Sequence, residues 1–171
     1  METLDRIATT LVAHQVNFVV IGLFGAHLHG VEVRTQDADM AYQRTEENHR
    51  RLLAALGEMD AHIRQSEDFL ILLPTDDPGL LEERNFWRLR TIYGDVDLIY
   101  TPRGGGYEYL LPKSEVVNVR GYPVLVASLD DIIRSKELSD RPKDRQSLPE
   151  LRRFRDQQKR DWEGPGLSFD L

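Results

Sequence analysis

The sequence predicts an α/β fold of the α+β kind: a mixed central β-sheet with helices packed on it and further helices at the C-terminal end. Three observations carry that prediction. Residues 18–42 read as strand, glycine turn, short helix, loop and second strand. Short apolar runs at 69–73, 95–100, 116–119 and 124–126 are set apart by turn residues or helical patterns. Beyond Ser128 the apolar positions change to helical spacing and keep it.

Taken in order, Leu4, Ile7, Leu11 and Val12 recur at helical spacing within 3–14, which predicts an amphipathic helix packed on the first strand. Residues 18–21, Phe-Val-Val-Ile, are short, apolar and β-branched, and Gly22 breaks them where the backbone turns sharply or approaches something closely. Backbone N–H groups entering the next helix have no internal partner and sit at the positive end of its dipole, so phosphate is the natural occupant of that turn. A strand over 37–42 puts Asp37 and Asp39 on one face, since side chains alternate with period two. Two carboxylates at a strand start suit magnesium, which takes one or two of them and leaves its other positions to water and substrate phosphates.

Thr45 caps a helix with Glu46 and Glu47 early and Leu52, Leu53 and Leu56 on its apolar side before Gly57. The run 69–73, stopped by Pro74, predicts a buried strand. In Thr75-Asp76-Asp77-Pro78-Gly79 the two acids are turn formers rather than ligands. Residues 86–93 mix aromatic and charged side chains; Gly94 interrupts them, and a strand over 95–100 carries Asp95 and Asp97 on one face. Phe86 and Trp87 fit a stacked base or the core, and Arg103-Gly104-Gly105-Gly106 fits a phosphate loop or a flexible connection. Residues 116–119 and 124–126 flank a glycine-containing turn as a hairpin. Ser128, with Asp131 three residues on, caps a helix carrying Leu129, Ile132, Ile133 and Leu138. Pro142 marks a break before a last helix over about 147–160, with Leu148, Leu151 and Phe154 inward.

On these motifs the chain resembles the nucleotidyltransferase superfamily that includes DNA polymerase beta, and most closely its minimal, toxin-like members related to the AbiEii toxin. Ile21-Gly22-Leu23, His29-Gly30 and Arg34-Thr35-Gln36-Asp37-Ala38-Asp39 follow the family pattern, as do Ile132-Ile133-Arg134-Ser135-Lys136 and Arg141-Pro142-Lys143-Asp144. The similarity runs from residue 18 to about 151. It implies the nucleotidyltransferase fold, with Asp37, Asp39 and Asp97 as catalytic ligands of two Mg2+ ions; Asp95, on the same face by period two, is the alternative to Asp97. It further implies NTP binding through Gly22, Leu23, Arg34, Thr35 and Lys136, and Asp144 as an additional catalytic acid. Leu23 stands where family members carry Gly or Ser, which predicts weaker wrapping of the triphosphate. His27 and His29, around Leu28, are read as packing and backbone-bonding residues rather than ligands.

Composition narrows the classes. A chain of 171 residues suits one domain, 1–162, with a mobile tail over 163–171. No apolar run approaches the roughly 18 residues that span a bilayer, and the start Met-Glu-Thr-Leu-Asp-Arg is not a secretory signal, so a cytoplasmic protein with no membrane association is expected. The absence of cysteine removes zinc-finger and cysteine-hydrolase chemistry and leaves oxygen ligands for any metal. A net charge of −7 argues against generic adhesion to nucleic acid, but Lys and Arg outnumber acids between Arg134 and Arg160. That local excess suggests a tRNA-like acceptor. The expectation is a magnesium-dependent transfer of a nucleoside monophosphate from an NTP to a hydroxyl of tRNA or protein, by the toxin of a toxin–antitoxin pair with a cognate antitoxin. The alternatives are a silent binding module whose phosphate turn Leu23 has closed, and an antibiotic nucleotidyltransferase.

Overall fold

The computed structural model describes residues 2–163, so the expectation of a mobile tail falls outside the described residues apart from its first position. Its strands are β1 (Phe18–Ile21), β2 (Asp37–Tyr42), β3 (His62–Arg64), β4 (Leu70–Leu72), β5 (Phe86–Thr91), β6 (Gly94–Ile99), β7 (Glu115–Val119) and β8 (Tyr122–Val126). They form one mixed sheet in the order β4-β3-β5-β6-β2-β1-β8-β7. The pairs β2/β6 and β1/β8 are parallel and the others antiparallel. The helices are α1 (Glu2–Ala13), α2 (Gly22–Leu28), α3 (Glu46–Glu58), α4 (Tyr107–Leu110), α5 (Leu129–Ser139) and α6 (Pro142–Glu163).

The pleat sorts the core into two layers. Val20, Ala38, Met40, Trp87, Leu89, Val96 and Leu98 belong to one cluster with the buried faces of α1 and α3, which include Leu4, Ile7, Leu52 and Leu56. Val19, Ile21 and Ala41 belong to a second cluster with Ile132, Ile133, Leu148 and Leu151 from α5 and α6. Because Asp37 and Asp39 alternate with Ala38 and Met40, burying the latter two against the first helix layer turns both carboxylates to the α5–α6 side.

The caps form as their sequences suggest: the Thr45 side chain accepts from the Asn48 N–H at 3.2 Å, and Ser128 Oγ accepts from the Asp131 N–H at 3.1 Å. Three expectations need correction. The run expected as a buried strand at 69–73 is the sheet edge; Leu70–Leu72 are exposed, and only Leu73 reaches the core. The strand β3 is too short to show a period in the sequence. Gly57 lies within α3 rather than ending it. Pro142 opens α6 instead of marking a break before it: the first helical position has no N–H partner to lose, and the fixed φ of proline already suits a helix. Among the described residues no helix is long and apolar enough to cross a membrane.

Candidate functional site

The parallel register of β2 and β6 sets Asp37 beside Asp95 and Asp39 beside Asp97. Ligand oxygens of Asp37, Asp39 and Asp97 all lie within 4.8 Å of one another. Asp37 is held by the Thr35 hydroxyl, which donates to Asp37 Oδ1 at 2.7 Å and to the Asp37 carbonyl at 3.0 Å. Antiparallel pairing of β1 with β2 places Ile21 opposite Asp39, so the turn after β1 closes directly on that carboxylate. Gly22 sits there at φ +65°, and a Cβ on it would overlap Asp39 Oδ2. The glycine is therefore required twice, by its left-handed backbone and by the close approach of the acid.

Asp95 shares the face but not the cluster. Arg90 donates to it at 2.8 and 3.1 Å and Arg64 pairs with it as well. Burial would raise its pKa, but these two guanidiniums prevail and hold it below the usual carboxylate range. At Asp39 and Asp97 the balance goes the other way. Asp39 is pushed up to about 7, first by burial and then by Asp37 and Asp97, against the pull of Lys136 and Lys143. Asp97 is pushed up to about 6 by burial and Asp37, against Arg88 and Arg64. Three carboxylates crowded into one site fit a divalent cation, and the all-carboxylate donor set fits magnesium.

The triad opens into a cleft of about 340 Å3 whose other walls are the residue 101–105 loop, the α5–α6 junction and the start of β5. From the junction come Lys136, Arg141, Lys143 and Asp144. Asp144 is fully buried, with Lys136 Nζ donating to it at 3.2 Å and Arg141 Nε at 2.7 Å. Burial opposes its ionisation, yet these donors hold it well below the normal carboxylate range. A carboxylate so engaged is a poor proton acceptor; it fixes two cations at the cleft instead. The glycine loop is packed rather than slack. A Cβ on Gly104 would come within 3.2 Å of Ser135, one on Gly105 would overlap Tyr109, and Arg134 donates to the Gly104 carbonyl at 3.0 Å.

Other residues singled out in the sequence lie elsewhere. Leu23 is half-buried and Arg34 exposed, and neither lines the cleft. His29 Nε2 hydrogen-bonds the Ala127 carbonyl at 2.7 Å. Trp87 is in the core, whereas Phe86 is 41% exposed and lines the cleft. The basic surplus of α6 is largely consumed by ion pairs: Arg152 with Glu137 at 2.6 Å, Arg153 with Glu150 at 2.5 Å, and Arg155 and Lys159 with Asp130 at 3.5 and 3.6 Å. That helix therefore presents far less free positive charge than its sequence suggests. Sequence reasoning gave no role to Arg64 or Arg88, although alternation in Phe-Trp-Arg-Leu-Arg-Thr already puts Phe86, Arg88 and Arg90 on one face.

No protein-family model and no curated protein matches the sequence. Solved structures do resemble the fold. The antibiotic-resistance factor ANT(2'')-Ia is 13% identical, with 86% of this chain and 80% of that one covered and a TM-score of 0.50. An antigenic nucleotidyltransferase-like protein from Paracoccidioides brasiliensis is 18% identical over 86% of this chain and 72% of that one, also with a TM-score of 0.50. A candidate nucleotidyltransferase from Thermotoga maritima, 18% identical over 92% of this chain and 88% of its own, superposes less closely, with a TM-score of 0.47. At these identities the likeness concerns architecture: the chain has the mixed-sheet fold of nucleotidyltransferases.

Proposed function

We propose that this protein is a magnesium-dependent nucleotidyltransferase that moves a nucleoside monophosphate from an NTP to an acceptor hydroxyl of tRNA or protein, as the toxin of a toxin–antitoxin pair. The observation that carries the catalytic part is one cleft in which Asp37, Asp39 and Asp97 face the cations of the α5–α6 junction. The toxin role, the macromolecular acceptor and a cognate antitoxin rest on the resemblance in residues 18–39 and 132–144. Nucleotidyl transfer asks a protein mainly for alignment and charge compensation, which this arrangement offers.

Asp37, Asp39 and Asp97 would hold magnesium, which supplies Lewis-acid activation of the acceptor hydroxyl and of the departing pyrophosphate. Lys136, Arg141 and Lys143 neutralise the NTP phosphates as fixed positive charges, with Asp144 positioning the first two. The turn at Gly22 lets backbone approach the nucleotide beside Asp39. The acceptor oxygen bonds to the α-phosphorus as its bond to pyrophosphate breaks, and the hydroxyl proton passes to solvent.

Likeness to ANT(2'')-Ia suggests a second reading, a small-molecule acceptor. Against a polycationic antibiotic stands Arg88, which lines the cleft from β5 and has no ion pair among the described residues. The silent-module reading drew on Leu23, which does not line the cleft. The test is transfer of label from each α-32P NTP, with magnesium, into total tRNA, protein or an aminoglycoside, with Asp39→Asn as control. Label in tRNA or protein that disappears in the variant is the expected result. An NTP titration without heat, together with no labelled acceptor, overturns the enzyme.

A further inference from the structure

The rows of side chains across the sheet divide the cleft into two ends. Register places Asp39 beside Asp97 and Asp97 beside Arg88, so one row runs from β2 through β6 to β5. Phe86 lies opposite Ile99 in the next row, on the same face as Arg88. Lys136, Arg141 and Lys143 line the cavity from the α5–α6 junction, and Arg88 lines it from β5, next to Asp97 in register. The triad thus stands between two sources of positive charge. In an in-line displacement the attacking and leaving oxygens sit on opposite sides of phosphorus. If the NTP phosphates rest on Lys136 and Arg141, the acceptor must arrive from the β5 end.

That end has a definite chemistry. Arg64 and Arg90 are both occupied by Asp95 and Glu67. Arg88 has no ion pair among the described residues; its guanidinium lies 5.6 Å from the Phe86 ring centroid. Both side chains are exposed, and both line the cavity that holds the triad. An exposed aromatic face beside an unpaired guanidinium is suited to a planar base carrying a phosphate: the ring stacks and the cation meets the backbone. A polycationic sugar is repelled by Arg88.

We propose that Phe86 and Arg88 form the acceptor subsite and take the 3′-terminal nucleotide of a single-stranded RNA, its base on Phe86 and its phosphate on Arg88. This rests on the nucleotidyltransferase reading above and moves acceptor binding from the ion-paired surface of α6 to the open face of β5. Phe86, Arg88 and Asp97 line one cavity, so a nucleotide seated there shares it with the triad.

Binding can be measured without turnover, by fluorescence anisotropy of a short 5′-labelled oligoribonucleotide in magnesium, alongside NTP titration of the same proteins. Phe86→Ala should weaken the oligonucleotide by at least about fivefold, and Phe86→Tyr should restore wild-type binding. Arg88→Gln should weaken it and lower the slope of log affinity against log salt by about 0.7, the loss of one phosphate contact on a single strand. Phe86→Ala should keep the NTP dissociation constant within about twofold of wild type, since it touches neither the triad's register row nor the Lys136 end. An oligonucleotide that does not bind wild type, or binds Phe86→Ala and Arg88→Gln unchanged while NTP binding is intact, overturns the subsite and leaves the enzyme reading standing. So does an aminoglycoside or a peptide that binds in an Arg88-dependent way where RNA does not. Failure of wild type to bind NTP removes the catalytic reading, and the acceptor role with it.

Discussion

The clearest energetic signature of the site belongs to Asp39. Its pKa rises from the ordinary carboxylate value to about 7, so the native state keeps a proton that the unfolded chain releases. The sign follows: stability of the metal-free protein is greatest below about pH 4 as far as this group is concerned, and falls as pH climbs through about 7. Asp39→Asn should abolish that slope, gaining on wild type by about 1–3 kcal/mol at pH 8 and by nearly nothing at pH 4, after allowance for the partial exposure of the carboxylate. Urea melts across that range without metal would show it, and parallel curves for the two proteins would contradict it. Leu23 gives a second residue-scale expectation, opposite to the one its sequence position suggests. Because it does not line the cleft, Leu23→Ser should leave the NTP dissociation constant within about twofold, read by calorimetry. A tenfold gain would put the side chain back on the phosphate approach.

At the scale of elements, the α5–α6 junction is organised by one buried acid. Asp144→Asn removes the charge that holds Lys136 and Arg141 and leaves a buried amide facing two cations. A loss of about 3 kcal/mol of stability is expected, with weaker NTP binding, because breaking a buried pair from one side leaves the other charges uncompensated. A variant that melts with wild type would show that Asp144 anchors nothing. At the opposite end of the sheet, β4 presents Leu72 with 63% of its surface exposed. Leu72→Lys should change stability by less than about 0.5 kcal/mol and reduce light scattering on heating, as charges on open strand edges do. A large destabilisation would mean that this edge is covered after all.

For the whole molecule the expectation concerns metal. Three acids that repel one another in a single cleft should be relieved together by one divalent cation. Magnesium at about 100 times its pH 8 dissociation constant should add about 2.7 kcal/mol at pH 8, and the same concentration should add less at pH 6, since the ligands must be ionised. Thermal melts with magnesium and with chelator at both pH values measure it, and an Asp97→Asn protein should lose most of the shift. Equal shifts in wild type and variant would place the ion elsewhere.

The sequence by itself determined most of the local structure: the strand before Gly22, the capped starts of α3 and α5, the β7–β8 hairpin and the alternation that sends Asp37 and Asp39 to one face. These follow from periodicity, caps and turns, which act over a few residues and are written in the order of the chain. It also brought out Asp97, Lys136 and Asp144 as residues of interest, through motifs rather than through any local rule. What only the tertiary structure decided are relations across long stretches of chain. Parallel register, not spacing, puts Asp97 rather than Asp95 with Asp39, and Arg64 and Arg90, from two other strands, take Asp95 out of the cluster. The outermost position of β4 leaves an apolar run in solvent, where composition alone would bury it. Acids of α5 cancel much of the charge that α6 carries in sequence, while Arg88, unremarkable in the sequence, is left unpaired beside the triad. Hydrophobic period reports which way a side chain points from its own strand; it does not report which charge stands opposite, because that partner is chosen by the order of strands in the sheet.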